Sequence, residues 1–252
     1  MRRLVLAFLL LSACRESQSV AETQASAPVS ACQERDFEGS RFTICDPGKG
    51  AIEVMTGEPP YRDFAKLEAA LGTRQVAFAM NGGMFAEDGR AIGLLVEKGR
   101  QVRAINRRKG GGNFHLMPNG VFLVRRNGKS AVVTSDTYTP SPDVAFATQS
   151  GPMLVIGGKL HPRFDPDGSS RNIRNGVGIA RDGRARFVIS EDPVSFGKFA
   201  RLFRDGLGAR DALYFDGSVS SLWDPANGRR DMHAPLGPMV VVFKPAESTQ
   251  RP

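Results

Sequence analysis

Two kinds of side chain stand where they could do chemistry together: carboxylates placed beside glycine or proline, and arginines three residues apart. Asp216 lies in Tyr214-Phe215-Asp216-Gly217-Ser218, and Glu191 opens Glu191-Asp192-Pro193. Glycosyl transfer from an oxygen leaving group needs an acid, with a base or nucleophile across the same bond, so paired carboxyls suit it. Arg171 and Arg174 offer planar forks of N–H donors that match a phosphate. Asn81-Gly82-Gly83 adds an amide followed by two residues without side chains. Each has an everyday alternative. Asp216 suits a turn or helix cap, Glu191 and Asp192 a solvent-facing turn, and the arginines surface ion pairs.

Other chemistries are poorly supplied. His115, His161 and His233 are far apart and form no HExxH or HxH pattern, so no metal site is expected. Ser150 in Gln149-Ser150-Gly151 lacks the glycine-flanked elbow of a serine esterase. Gly110-Gly111-Gly112 lacks the Lys-Ser/Thr ending of a phosphate loop and reads as a flexible loop. No cofactor is expected.

These groups must be positioned by a fold rich in strands. Residues 186–190, 196–205 and 212–215 have the lengths of a strand–helix–strand crossover, which makes its two strands parallel. Residues 52–55, 62–71 and 76–80 repeat the plan. Polar residues leaving such strand ends before glycine, as at Asn81 and Asp216, mark ligand rims in α/β sheets. Glu191 would leave a strand on the same rim as Asp216. Apolar stripes at helical spacing, Phe64/Leu67/Leu71 and Phe196/Phe199/Leu202/Phe203, read as core-facing helices. Asn127-Gly128, Asp182-Gly183 and Gly157-Gly158 between apolar runs are hairpin signals. The expected class is α+β: one domain with a mixed, largely antiparallel sheet core, several hairpins and two main amphipathic helices.

The chain of 252 residues is 41% hydrophobic, enough for a sizeable core. Arg2 and Arg3 precede the apolar run Leu4–Leu11, too short to span a bilayer and suited to a secretion signal over residues 1–13. Leu11-Ser12-Ala13-Cys14 resembles the bacterial lipobox, which implies a lipid on Cys14 and a membrane attachment. Arg15, rather than Asp, implies sorting to the outer membrane. Residues 14–31 read as a flexible tether, 32–246 as the domain, and 247–252 as a disordered tail. The net charge of +8 is scattered along the chain, unlike the clustered bases of a nucleic-acid binder. No nucleic-acid partner is expected; an anionic small substrate fits better.

Secretion places Cys32 and Cys45 in an oxidising compartment. A two-residue turn at Glu38-Gly39 puts them opposite each other in a non-hydrogen-bonded pair, with Cα atoms about 4.5 Å apart. A cross-strand disulfide is expected.

Four motifs follow one another in a recognisable order: Phe78-Ala79-Met80-Asn81-Gly82-Gly83-Met84-Phe85, Gln149-Ser150-Gly151-Pro152-Met153-Leu154, Arg171-Asn172-Ile173-Arg174-Asn175-Gly176-Val177-Gly178 and Leu213-Tyr214-Phe215-Asp216-Gly217-Ser218. Over roughly residues 33–243 the chain resembles the phosphodiester glycosidase family, in its bacterial branch. That resemblance implies cleavage of a sugar-1-phosphodiester to a phosphomonoester and a free sugar, here in the cell envelope on its periplasmic side. It implies Asp216 as catalytic carboxylate, with Glu191 as a second acid/base candidate. It also implies substrate binding by Asn81, Gly82, Ser150, Arg171, Arg174, Gly217 and Ser218. A carbohydrate phosphodiester or anionic glycan would be the partner. The alternative is a glycan-binding lipoprotein of the same fold without turnover. Two departures stand out: Asp216-Gly217-Ser218-Val219-Ser220 replaces a glycine-richer motif, and Lys198 stands where the wider family often has Glu.

Overall fold

The computed structural model describes residues 29–245. The expected signal, Cys14 and most of the tether lie outside these residues, as does the expected tail.

Strands dominate, in three sheets. One runs, in spatial order, Cys32–Phe37, Ser40–Cys45, Ala185–Ser190, Asn175–Ile179, Asp211–Tyr214, Met153–Ile156, Lys159–Leu160. A second runs Arg229–Arg230, Leu222–Asp224, Val76–Asn81, Met239–Phe243, Ala51–Met55. The third runs Arg100–Arg103, Leu95–Glu97, Val144–Ser150, Gly120–Arg125, Ser130–Thr134. Among the described residues helix is confined to two short segments and a few single turns, so the α part of the expected class is small there.

The sheets are not mixed, because every strand pairing is antiparallel. The two crossover units do run parallel, yet neither places its strands side by side. Ala185–Ser190 and Asp211–Tyr214 flank Asn175–Ile179, antiparallel to both. Ala51–Met55 and Val76–Asn81 likewise flank Met239–Phe243. Direction is set by the length of the crossover; the neighbour is chosen by a strand from elsewhere in the chain.

Local chemistry explains the elements. Asp63 caps the first helix, Phe64–Leu71, by accepting from the Lys66 N–H at 2.7 Å, a standard N-cap contact. Phe64, Leu67 and Leu71 are buried against Trp223 and Val241, and Gly72 ends the helix at φ 61°. Ser195 caps the second helix, Phe196–Arg201, through the Lys198 N–H. A widened turn, Leu202–Gly206, extends it over the expected range. Glu38-Gly39 and Gly157-Gly158 make two-residue turns with positive φ. At Asn127-Gly128 and Asp182-Gly183 the loops are longer. Arg125 donates to Lys129 O and Ala180 to Arg184 O, so Arg126 and Arg181 belong to the loops.

The sheets meet through one aromatic ring each. Phe187 packs edge-on against Phe78 and Phe122, both at 5.5 Å between centroids, an arrangement worth about 0.5–1.5 kcal/mol per pair beyond buried area. At the margin, Cys32 pairs in register with Cys45 and forms the expected disulfide, with Cα atoms 3.9 Å apart.

Candidate active site

Both crossover units end on one rim, and an asparagine pair joins them. Asn81 closes its strand, and Asn175 opens the strand inserted into the other unit. Asn175 Nδ2 donates to Asn81 Oδ1 at 2.8 Å and to Asn81 O at 3.0 Å. The Ser221 N–H donates to the same Asn81 Oδ1 at 2.8 Å. Asn81 Nδ2 donates to the Asp216 carbonyl at 2.8 Å, while the Asp216 N–H donates to Gly82 O at 3.1 Å. Asn81 is only 1% exposed. Its amide therefore holds the rim together from within.

Two more of the quoted motifs arrive at this place. The Tyr214 N–H donates to Pro152 O at 3.1 Å, bringing the Ser150-Gly151-Pro152 turn alongside. Gly83 presses on the Gln149 segment so closely that a Cβ there would lie 2.3 Å from Gln149 O. Ser150 is fully buried, and its hydroxyl has no hydrogen-bond partner.

Arg174 is the unusual group. It is 1% exposed and its guanidinium carbon lies 3.6 Å from the Phe196 ring centroid. Its Nε donates to Val194 O at 2.8 Å and its Nη2 to Ser170 O at 3.0 Å. Nη1 donates weakly to the Tyr214 hydroxyl at 3.4 Å. No carboxylate of the described residues pairs with it. Burial pulls its pKa below the usual guanidinium value, opposed by Tyr214. A buried cation without a counterion is costly and is what an anion-binding site requires.

Asp216 follows in the same motif. Its carboxylate accepts from the Ser218 N–H at 3.2 Å, and burial pushes its pKa above the ordinary carboxylate value, against the pull of Ser218. Tyr214 is raised too, by burial, with Arg174 and the Gly217 amide working the other way. Gly217 is obligatory: a Cβ there would sit 1.6 Å from the Tyr214 hydroxyl. Perturbed acids grouped beside a buried cation form the pattern expected of a functional site.

The remaining expected residues are placed differently. Arg171 and Ser218 are exposed. Glu191 accepts from Thr43 Oγ1 at 2.6 Å and is ion-paired with Arg229, which also holds Asp231 at 3.0 Å. No hydrogen bond or ion pair joins Glu191 to Asp216, Arg174 or Tyr214. Lys198 points to the first hairpin, donating to Glu38 O at 2.8 Å. Among the described residues no group of His, Cys, Asp or Glu is arranged to hold a metal.

Three contributors went unassigned in the sequence. Tyr214 and Asn175 lie inside the quoted motifs, so their position was a signal. Phe196 belongs to a helical stripe that reads as core.

Fold and rim together define a three-sheet β domain in which Tyr214 lies between a buried cation, Arg174, and a perturbed carboxyl, Asp216. The chain belongs to the phosphodiester glycosidase family, whose model matches residues 74–243. It is 41% identical over 149 residues to "Uncharacterized protein YigE" of Escherichia coli (strain K12), an alignment covering 59% of this chain and 58% of that protein. The chain thus matches less than two thirds of that relative's length. Among solved structures it is similar to the catalytic domain of zebrafish N-acetylglucosamine-1-phosphodiester alpha-N-acetylglucosaminidase, auto-inhibited by its pro-peptide. The TM-score is 0.59 at 15% identity, covering 85% of this chain and 82% of that one. It is also similar to a Burkholderia pseudomallei K96243 protein described as exported, with TM-score 0.55 at 13% identity, covering 81% of this chain and 73% of that one. At such identities these two are likenesses of fold.

Proposed function

We propose that this protein hydrolyses the glycosidic bond of a sugar-1-phosphodiester in the bacterial cell envelope. Water adds to the anomeric carbon, the C1–O bond breaks, and a free sugar and a phosphomonoester leave. The observation that carries this reading is Arg174, a buried guanidinium with no carboxylate partner, on the rim that holds Asp216. Arg174 would take the phosphate and stabilise the charge that grows on it as the bond breaks. Asp216 would serve as the catalytic carboxylate at the anomeric centre. The Tyr214 hydroxyl, held by Arg174, would donate to the leaving oxygen. A phosphate leaves readily, so electrostatic help counts for more than a strong general acid.

Asn81 and Gly82 act in this reading by fixing the Asp216 backbone. Gly217 and Ser218 would line the approach, the buried Ser150 would support the rim from beneath, and the exposed Arg171 would offer a second positive charge. The disulfide supports a location outside the cytoplasm, as does the likeness to a protein described as exported. Lipid attachment through Cys14 and residence on the periplasmic side of the outer membrane complete the proposal. The test is to offer sugar-1-phosphodiesters and measure free sugar; turnover lost in Asp216→Asn supports it, and equal turnover removes Asp216 from the chemistry.

One observation favours a second reading, glycan binding without turnover. Glu191 is neutralised by Arg229, which leaves Asp216 without a second carboxylate bonded to the rim. Binding across a broad substrate panel with no sugar released would select that reading.

A further inference from the structure

A cavity of about 660 Å³ shares no lining residue with the Arg174–Asp216 rim. It lies between two sheet margins, with Ala51–Met55 on one side and Leu95–Arg103 on the other. Two oxygens of its lining have unmet bonding capacity. Thr56 is 6% exposed, and its Oγ1 and Glu97 Oε1 face each other without a hydrogen bond of normal geometry. Burial pushes the Glu97 carboxyl above its ordinary pKa, although the nearby Thr56 hydroxyl and amide oppose that shift. A native protein rarely leaves such atoms unpaired unless something else completes them.

The rest of the lining is equally particular. Tyr61 is seated against Gly57, where a Cβ would come within 2.7 Å of its ring, and its N–H donates to Thr56 O at 2.8 Å. Val102, 41% exposed, adds an apolar side chain. The acids Glu53 and Glu58 already have partners in Arg74 and Arg90. Arg100 and Arg103 are exposed, with no ion-pair partner among the described residues.

We propose that this cavity binds an anionic glycan, at a site separate from the Arg174–Asp216 rim. The Tyr61 ring offers a flat apolar face to a sugar ring. Thr56 and Glu97 meet sugar hydroxyls, and Arg100 and Arg103 meet the carboxylate or phosphate the glycan carries. An acidic peptide laid along a strand edge would bond to backbone groups instead and give the two buried oxygens no further partner. The site stands whether or not the rim turns over substrate.

Calorimetric titration of the full-length protein tests this, with tetragalacturonate as the anionic glycan, maltotetraose as the neutral one and hexaglutamate as the acidic peptide. Tetragalacturonate is expected to bind, with Arg100→Ala/Arg103→Ala weakening it at least about tenfold. Thr56→Val, which removes an oxygen whose one neighbour, Glu97, is poorly aligned with it, should weaken it about threefold with little change in thermal unfolding. Maltotetraose and hexaglutamate should both bind more weakly than tetragalacturonate. The proposal is overturned if tetragalacturonate fails to bind, if the double variant binds it equally well, or if hexaglutamate matches it. It is also overturned if Arg174→Met abolishes the binding, since the glycan would then sit at the rim.

Discussion

The Arg174 guanidinium is stacked 3.6 Å from the centre of the Phe196 ring, buried and with no acid among the described residues to neutralise it. Phe196 in turn stacks on Phe164 at 5.0 Å, and Phe164 lies over His161 at 4.7 Å. The cation therefore rests on a column of rings that gives it a fixed direction but no opposite charge. A carboxylate in that place would compete with any incoming anion.

Replacing the cation should separate stability from function. Val194 O keeps the Asn172 N–H as donor without Arg174, so Arg174→Met orphans little. Its unfolding free energy should change by less than about 1 kcal/mol, or rise, because an unpaired buried charge has gone. Release of free sugar should fall at least about 100-fold. Chemical denaturation and a sugar-release assay check the two halves; a large loss of stability would make Arg174 a structural residue.

Asp216 should leave a signature in pH. Its folded pKa is raised by burial, so the folded state disfavours the charged form. The stability this withholds is fully recovered below the unfolded carboxyl value of about 3.9 and lost as pH rises through the folded value. Asp216→Asn should then be the more stable protein at neutral pH, with the gap closing as the medium is acidified. Thermal unfolding at a series of pH values measures it, and a constant gap would contradict the burial of the charge. In the wild type, kcat/KM should climb with pH along a limb set above the ordinary carboxylate range.

Tyr214 and Gly217 should behave as a unit. Tyr214→Phe removes a hydroxyl that accepts from Arg174 and should cost about 1 kcal/mol of stability, with activity down about 10–100-fold. Gly217→Ala drives a methyl into the phenol, so Tyr214 must move; activity should fall at least as far. Ultraviolet difference spectra of the tyrosines would register the displacement. Wild-type kinetics in both variants would exclude the phenol from the reaction.

Asn81 should reveal itself first as a folding residue. Asn81→Ala removes the acceptor of the Asn175 amide and the Ser221 N–H and the donor to Asp216 O. Losing these in a buried setting should cost about 3 kcal/mol or more. Urea denaturation gives the value, and a variant of full stability with a raised KM would instead assign the amide to substrate.

Cys32 and Cys45 staple the first strand to the sheet it borders. Their bond closes a short loop, so reduction should cost about 2–4 kcal/mol. Guanidinium titration with and without reductant measures this, and unchanged midpoints would show that the hairpin holds unaided.

Much of the local structure was legible because short-range chemistry determines it. Glu38-Gly39 fixes a two-residue turn, and the turn alone fixes the Cys32–Cys45 register. The helical spacing of Phe64, Leu67 and Leu71 marks the first helix. Strand neighbours were not legible: nothing near residues 51–81 announces that 239–243 will lie between them. At the rim, charge singled out Asp216 and Arg174, whereas Asn175 acts through a bond to a residue 94 positions away. Glu191 does leave the expected strand, but its cation comes from Arg229, on a strand of another sheet.

The strand Met239–Phe243 has a consequence for how the chain comes into being. Ala51–Met55 and Val76–Asn81 have no bond to each other until it slots between them. A nascent polypeptide therefore cannot assemble this half of the molecule before its closing segment has emerged, and contacts of such long range form late and slowly. Under the export proposed above, the same delay would keep the chain threadable during its passage across a membrane, and any activity would begin only after the transit is over.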